Sequence, residues 1–301
     1  MLPAGAKVAG WDFHPLGYRR LSTAHAKKGG RNALRFFDPE MQETVNQRAD
    51  LESELRNALE KQQLQLYYQI QVDSSHHTRG AEVLIRWIHP ERGMISPVQF
   101  IPLAEETGLI LPIGQWVLDT ACARIKAWEK DTLTSNLTLA VNVSAKQFHQ
   151  ADFVNQVHET VQRHAINPML LKLELTESML QSDIEDTIAS MHALKKIGIQ
   201  FSLDDFGTGY SSLQYLKRLP LDQLKIDQSF VRDIATDSSD KAIVGTIIAM
   251  AHHLGVGVIA EGVETKEQLH SLKSSCCTHY QGYLFGKPVP IDEFEAQLKQ
   301  S

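Results

Sequence analysis

Acidic and amide side chains stand at the ends of apolar runs along this chain, and their types suit metal-assisted hydrolysis. Glu82 lies in AEVLIRW (81–87), Asn142 near the end of LTLAVNVS (137–144), and Glu174 and Glu177 close LLKLELTE (170–177). Asp204-Asp205 ends IQFSLDDF (199–206), and Lys225 and Asp227 end DQLKID (222–227). Glu261 closes VGVIAEG (256–262) with Glu264 just beyond, and Gln281 lies in HYQGYLF (279–285). Glu, Asn and Asp form an oxygen-only donor set, the hard kind that Mg²⁺ or Mn²⁺ prefers. Crowded carboxylates repel and lose solvation, and a shared cation relieves both. Two cations about 3.5–4 Å apart need a bridging carboxylate, which the Asp204-Asp205 pair can supply. Taken singly, an acid at a strand end is a loop cap or a surface ion-pair partner. Taken together, with an Asp pair inside an apolar run followed by Phe-Gly-Thr-Gly, packing does not explain them.

Other groups are less decisive. Arg86 lies four residues after Glu82, on the same face of a strand. A guanidinium beside metal carboxylates suits a phosphate, and a salt bridge to Glu82 or a neighbour fits the spacing equally. Gly207-Thr208-Gly209 reads as a loop able to take positive φ, without the Lys-Ser/Thr of a P-loop. There is no G-x-S-x-G elbow, and no histidine is assigned to catalysis.

For the charged groups to meet, the elements must carry them to one face. Eight strand-like runs, from LQLYYQIQV (64–72) to HYQGYLF, alternate with helical stretches. Ser96-Pro97 predicts one helix start, and Ser182–Glu185 a capping box before a helix that stops at Gly198. A further helix runs through Ile243, Ile247, Ile248 and Ala251 to Gly255. Several runs are nearly continuous in apolar residues, which predicts strands buried on both faces. The pattern favours a (β/α)8 barrel over an open doubly wound sheet, since no GxGxxG follows the first strand. In a barrel the C-terminal strand ends converge where sites are built. Leu51, Leu55, Ala58, Leu59 and Gln62 predict a linking helix over 48–63, after a leader of residues 1–47.

Composition limits the partners. The chain has 301 residues, 43% hydrophobic and 22% charged, with net charge −6. This is ordinary globular usage and carries no global footprint for a nucleic-acid polymer. Cys122, Cys276 and Cys277 make no disulfide framework and suit a reducing cytosol. A soft-metal site at Cys276, Cys277 and His279 lacks a second ligand pair. No apolar run reaches the roughly 18–20 residues of a membrane span, and no secretory leader is visible. The expectation is a cytoplasmic chain without membrane contact, or the cytosolic end of a longer protein.

From residue 48 to 301 the ordered motifs resemble an EAL domain, the cyclic-di-GMP phosphodiesterase family. The name-giving tripeptide stands as Glu82-Val83-Leu84, followed by PVQFIPLAEETGLI (97–110), VNVSAKQF (141–148), LELTES (173–178) and SLDDFGTGYSSL (202–213). LKIDQSFV (224–231), IAEGVET (259–265) and QGYLFGKPVP (281–290) complete the set. The resemblance implies a modified TIM barrel with an antiparallel first strand, and hydrolysis of cyclic-di-GMP to linear pGpG with two Mg²⁺ or Mn²⁺ ions. It implies Glu82, Asn142, Glu174 and Asp204 as ligands of the first metal. Asp204 bridges to a second, held with Asp205 and Glu261. Lys225 would orient or polarise the attacking water, and Glu261 is also the candidate general base. Gln69, Leu84, Arg86, Asp227 and Gln281 match positions for substrate or for holding the site. Glu177, Gly207 and Glu264 match positions anchoring the loop 205–212, which leads to a dimer interface. An inactive cyclic-di-GMP receptor is the alternative, marked in this family by lost ligands. Two departures are Val83 for the usual Ala, and Ile70 for the Pro of a YQP motif. AHAKKGGRNALRFFDPEM (24–41) resembles the C-terminal tail of a GGDEF domain, implying an upstream sensor or cyclase domain in the parent protein.

Overall fold

In a computed structural model of the chain, residues 39–181, 183–207 and 213–299 are described. Residues 1–22, nearly all of the GGDEF-like tail, Ser182, Thr208 and Gly209 lie outside them. Helix α1 spans Pro39–Ala58, so the helix expected over 48–63 starts earlier and stops sooner. Its Leu55 and Ala58 are fully buried in the main core.

The rest alternates as expected. In order come β1 (Leu64–Asp73), β2 (Thr78–His89), β3 (Gly93–Ile95), α2 (Pro97–Thr107), α3 (Ile110–Trp128), β4 (Thr138–Asn142), α4 (Ala145–Phe148) and α5 (Phe153–His164). Then follow β5 (Leu171–Thr176), α6 (Ile184–Ile197), β6 (Gln200–Phe206), α7 (Leu213–Leu216), β7 (Gln223–Ile226) and α8 (Gln228–Arg232). The chain closes with α9 (Ser238–Leu254), β8 (Gly257–Ala260), α10 (Lys266–Ser274), β9 (His279–Gln281), β10 (Val289–Pro290) and α11 (Ile291–Leu298).

Strands β1, β2, β4, β5, β6, β7, β8 and β9 are hydrogen-bonded in that order, and β9 returns to β1. Strand β1 is antiparallel to both β2 and β9, whereas β2 and β4 through β9 run parallel to one another. This is the barrel with an antiparallel first strand. Short β3 and β10 extend β2 and β1 at the rim.

One feature of the strands differs from the expectation. Both faces are buried, but the outward one is apolar and the inward one mostly polar. Leu139, Val141, Leu173, Leu175, Phe201, Leu203, Leu224 and Ile226 face the helices and are buried in the main core. The alternate residues Asn142, Lys172, Glu174, Ser202, Asp204, Gln223 and Lys225 line the barrel interior, where Glu174, Ser202 and Lys225 are fully buried. The hydrophobic core is therefore the layer between sheet and helices.

Helix ends follow the sequence in part. Gly198 and Gly255 end α6 and α9 in the left-handed conformation. Pro97 opens α2, though Ser96 makes no side-chain cap bond. The capping box expected at Ser182 begins on a residue outside those described. Asp183 is the cap residue of α6, at φ +50° and without a side-chain bond. A true capping box, unforeseen, joins Thr265 and Gln268 at the start of α10.

Candidate active site

Four carboxylates surround one buried ammonium at the barrel mouth. Lys225 Nζ lies 2.5 Å from Glu174 Oε2, 2.6 Å from Glu261 Oε1, and 3.4 Å from both Glu82 Oε2 and Asp204 Oδ2. Glu82, Glu174 and Asp204 come from β2, β5 and β6 and Glu261 from just past β8, and register explains the meeting. Glu82 pairs with Ala140, Asn142 with Glu174, and Thr176 with Asp204. The Glu261 amide donates to the Ile226 carbonyl, which sets Glu261 one step past β8 beside Lys225.

Amides tie Glu82 in place. Asn142 Nδ2 donates to Glu82 Oε1 at 2.7 Å, and Gln281 Nε2 donates to Glu82 Oε2 at 2.6 Å. Gln281 Nε2 also donates to Gln69 Oε1, while Gln69 Nε2 donates to the Gly286 carbonyl. Gln71, which the sequence reading did not single out, donates to Gln281 Oε1 at 2.8 Å. Its only sequence signal was strand parity, two residues past Gln69.

The remaining expected residues sit around this cluster. Asp205 follows at φ +55°, and its amide donates to Asp204 Oδ1. The β6–β7 register shifts between Leu203 and Phe206 at the same point. Asp205 thus breaks the strand alternation that would send adjacent aspartates to opposite faces. Glu177 is buried, and its Oε2 accepts the Gly207 amide at 3.3 Å. Asp227 is buried and caps α8, accepting from the amide and hydroxyl of Ser229. Leu84 is buried on the Glu82 face of β2, and Arg86 lies half-buried above it. Glu264 is exposed, and its amide donates to Gln268. Val83 packs in the apolar core, and Ile70 keeps the β1–β2 ladder continuous.

Electrostatics follow from burial. Desolvation pushes Glu174 up to about 8, with Lys225 opposing and Glu82 and Asp204 adding to the rise. Burial likewise raises Asp204 and Glu261, against the pull of Lys225. For Lys225, burial disfavours the charge, but Asp204, Glu174, Glu261 and Glu82 together hold it well above the ordinary lysine range.

The donor set fits a divalent cation. Asn142 Oδ1 and Glu174 Oε1 are buried acceptors without a hydrogen-bond partner, and Asp204 Oδ2 faces the Lys225 ammonium at 3.4 Å. Such oxygens, hard and clustered, are what Mg²⁺ or Mn²⁺ completes. Among the described residues, no three Asp, Glu, His or Cys groups are preset as a metal cage, and the carboxylates converge on Lys225. Cys276 is exposed and Cys277 buried, without a ligand cluster among the described residues.

Fold and mouth together define a TIM-like barrel protein with an antiparallel first strand and an acidic, lysine-centred interior. The EAL domain matches residues 52–288, and the chain belongs to that family. It is 44% identical over 275 residues to the bifunctional diguanylate cyclase/cyclic di-GMP phosphodiesterase MucR of Pseudomonas aeruginosa, covering 91% of this chain and 40% of MucR. It is 39% identical over 275 residues to the cyclic di-GMP phosphodiesterase PdeR of Escherichia coli, covering 91% of this chain and 41% of PdeR. The chain thus spans about two-fifths of these curated relatives. The solved PaMucR phosphodiesterase, a c-di-GMP complex, superposes with a TM-score of 0.79 at 45% identity, covering 81% of this chain and 99% of that one. Membership carries a general dependence on divalent metal. Among the described residues no helix is long and apolar enough to cross a membrane.

Proposed function

We propose that this chain hydrolyses one phosphodiester bond of cyclic-di-GMP to give linear pGpG. The observation that carries the reading is the set of four carboxylates from four strands around Lys225, with the unpartnered buried oxygens Asn142 Oδ1 and Glu174 Oε1 beside it. Glu82, Asn142, Glu174 and Asp204 would hold one Mg²⁺ or Mn²⁺, and Asp204, Asp205 and Glu261 a second. Cations bound there supply positive charge to the phosphoryl oxygens and lower the pKa of nearby water.

The chain's own groups do the rest. Glu261 is the most solvent-accessible of the four carboxylates, at 17% against 3% or less for the others. It is placed to accept the proton of the attacking water. Burial and the neighbouring acids raise its carboxyl well above the ordinary range, and Lys225 opposes that rise in favour of the ionised, proton-accepting form. As the water oxygen bonds to phosphorus, the P–O3′ bond breaks and the 3′ oxygen takes up a proton. One water is consumed, and the product keeps a 5′-phosphate. Gln69, Leu84, Arg86, Asp227 and Gln281 bind the substrate or hold its site, and Glu177 anchors the loop that begins at Asp205.

MucR and PdeR carry cyclic-di-GMP in their names, and their greater length supports an upstream sensor or GGDEF segment. The same reading includes a homodimer through the barrel and a cytoplasmic location. An inactive receptor is disfavoured, because each motif-matched ligand is present. Glu82→Ala is expected to abolish pGpG formation while the circular dichroism spectrum stays native. Substantial metal-dependent turnover by that variant contradicts the ligand assignment.

A further inference from the structure

Strand register and side-chain position are informative together at Arg86. Across the β1–β2 ladder, Arg86 stands opposite Gln65, Leu84 opposite Tyr67, and Glu82 opposite Gln69. The Arg86 guanidinium lies over the Tyr67 ring, with Cζ 5.6 Å from the ring centroid. Tyr67 stands one pleat from Gln65, about 6.6 Å at roughly 3.3 Å per residue, so ring and guanidinium meet as a diagonal pair across the ladder. Arg86 Nη1 also donates to the Ile85 carbonyl at 3.0 Å. The aromatic face and the carbonyl together fix both the depth and the plane of the fork.

Tyr67 is itself held. It is half-buried, paired on one side with Leu84 and on the other with Pro290 of β10. The short β10 therefore has a task at the site: it backs the strand position that carries the ring. The Tyr67–Leu84 pair stands one pleat along the ladder from the Glu82–Gln69 pair, so a guanidinium over that ring is offset from the carboxylates and faces the part of a dinucleotide beyond the phosphate they grip.

We propose that Tyr67 is the positioning residue for Arg86, setting the height at which the guanidinium engages the part of the substrate remote from the scissile phosphate. The inference rests on the phosphodiesterase reading above. It predicts that Tyr67 acts on recognition of the dinucleotide and not on bond breaking. A cation over an aromatic ring at such a site contributes about 0.5–1 kcal/mol, or about a two- to fivefold change in KM.

The test compares two substrates. Cyclic-di-GMP needs both the cluster and Arg86, whereas bis(p-nitrophenyl) phosphate is too short to need Arg86. Tyr67→Leu is expected to raise KM for cyclic-di-GMP about two- to fivefold with kcat unchanged. It leaves turnover of the small diester at the wild-type rate, and Tyr67→Phe restores the wild-type KM. In an Arg86→Met background, Tyr67→Leu adds nothing further. Wild-type KM for cyclic-di-GMP in Tyr67→Leu overturns the assignment, as does an equal loss on both substrates or an undiminished effect without Arg86. If the wild-type chain itself fails to turn over cyclic-di-GMP, the functional reading falls and takes this inference with it.

Discussion

Lys225 and its four acids decide the behaviour of the site. A fully buried ammonium with one acid at 2.5 Å and another at 2.6 Å is stable only as part of the cluster. Lys225→Met keeps the volume but leaves four carboxylates without their shared cation. Breaking a buried ion cluster at one partner typically costs about 3–5 kcal/mol. The expected outcome is a lower melting temperature and a fall in kcat of about a hundredfold or more, from lost electrostatic preorganisation. A variant with wild-type kcat would remove Lys225 from the mechanism. At this scale the acids stood out by themselves, and Asn142, Gln69 and Gln281 stood out through their motifs, whereas Gln71 and Tyr67 did not. Glu82, Glu174 and Asp204 stood out because a charge inside an apolar run costs free energy unless compensated. Gln71 and Tyr67 carry no such penalty, and only the register of β1 against its neighbours reveals them.

At the scale of elements, close backbone approach at two glycines shapes the barrel. A Cβ on Gly282 would lie 2.2 Å from both the amide nitrogen and the carbonyl oxygen of Val263. A Cβ on Gly80 would lie 2.3 Å from the Thr138 carbonyl, where β2 meets β4. Backbone cannot yield as a side-chain end can, so Gly282→Ala must displace the end of β9 and with it Gln281. The expectation is a destabilisation of about 1–3 kcal/mol, read as a fall in denaturant midpoint, and a rise in KM. An unchanged midpoint contradicts this. Most strand ends were legible in the sequence to within a residue or two, because apolar runs mark what faces the helices; β2 starts three residues before its run and β9 stops four residues before the end of its own. What faces the barrel interior was not. Polar residues such as Lys172, Ser202 and Gln223 interrupt the runs but give no sign of the side they occupy. Helix starts were also less legible: Asp183 and the Thr265–Gln268 box depend on backbone conformation and side-chain reach.

For the whole molecule, the acidic interior links stability to pH and to cation. Glu174 is raised from an ordinary 4.5 to about 8, chiefly by desolvation. Folding therefore favours its protonated form. That contribution is fully present below pH 4.5 and is lost as pH rises through about 8. In EDTA, the melting temperature is expected to fall between pH 5 and 8 through this group. Added Mn²⁺ should restore it most at the alkaline end, where the carboxylate is free to bind. A metal-independent melting temperature across that range contradicts a cation site at Glu174. The family fold itself was legible from the order of motifs along the chain. The span of α1 was not, because its polar first half carries no apolar stripe to mark it. The most direct test of the central claim is product analysis of the purified chain with cyclic-di-GMP and Mg²⁺ or Mn²⁺, against an EDTA control. The account predicts pGpG that appears only with the cation; intact cyclic-di-GMP with saturable binding would contradict it and leave a receptor.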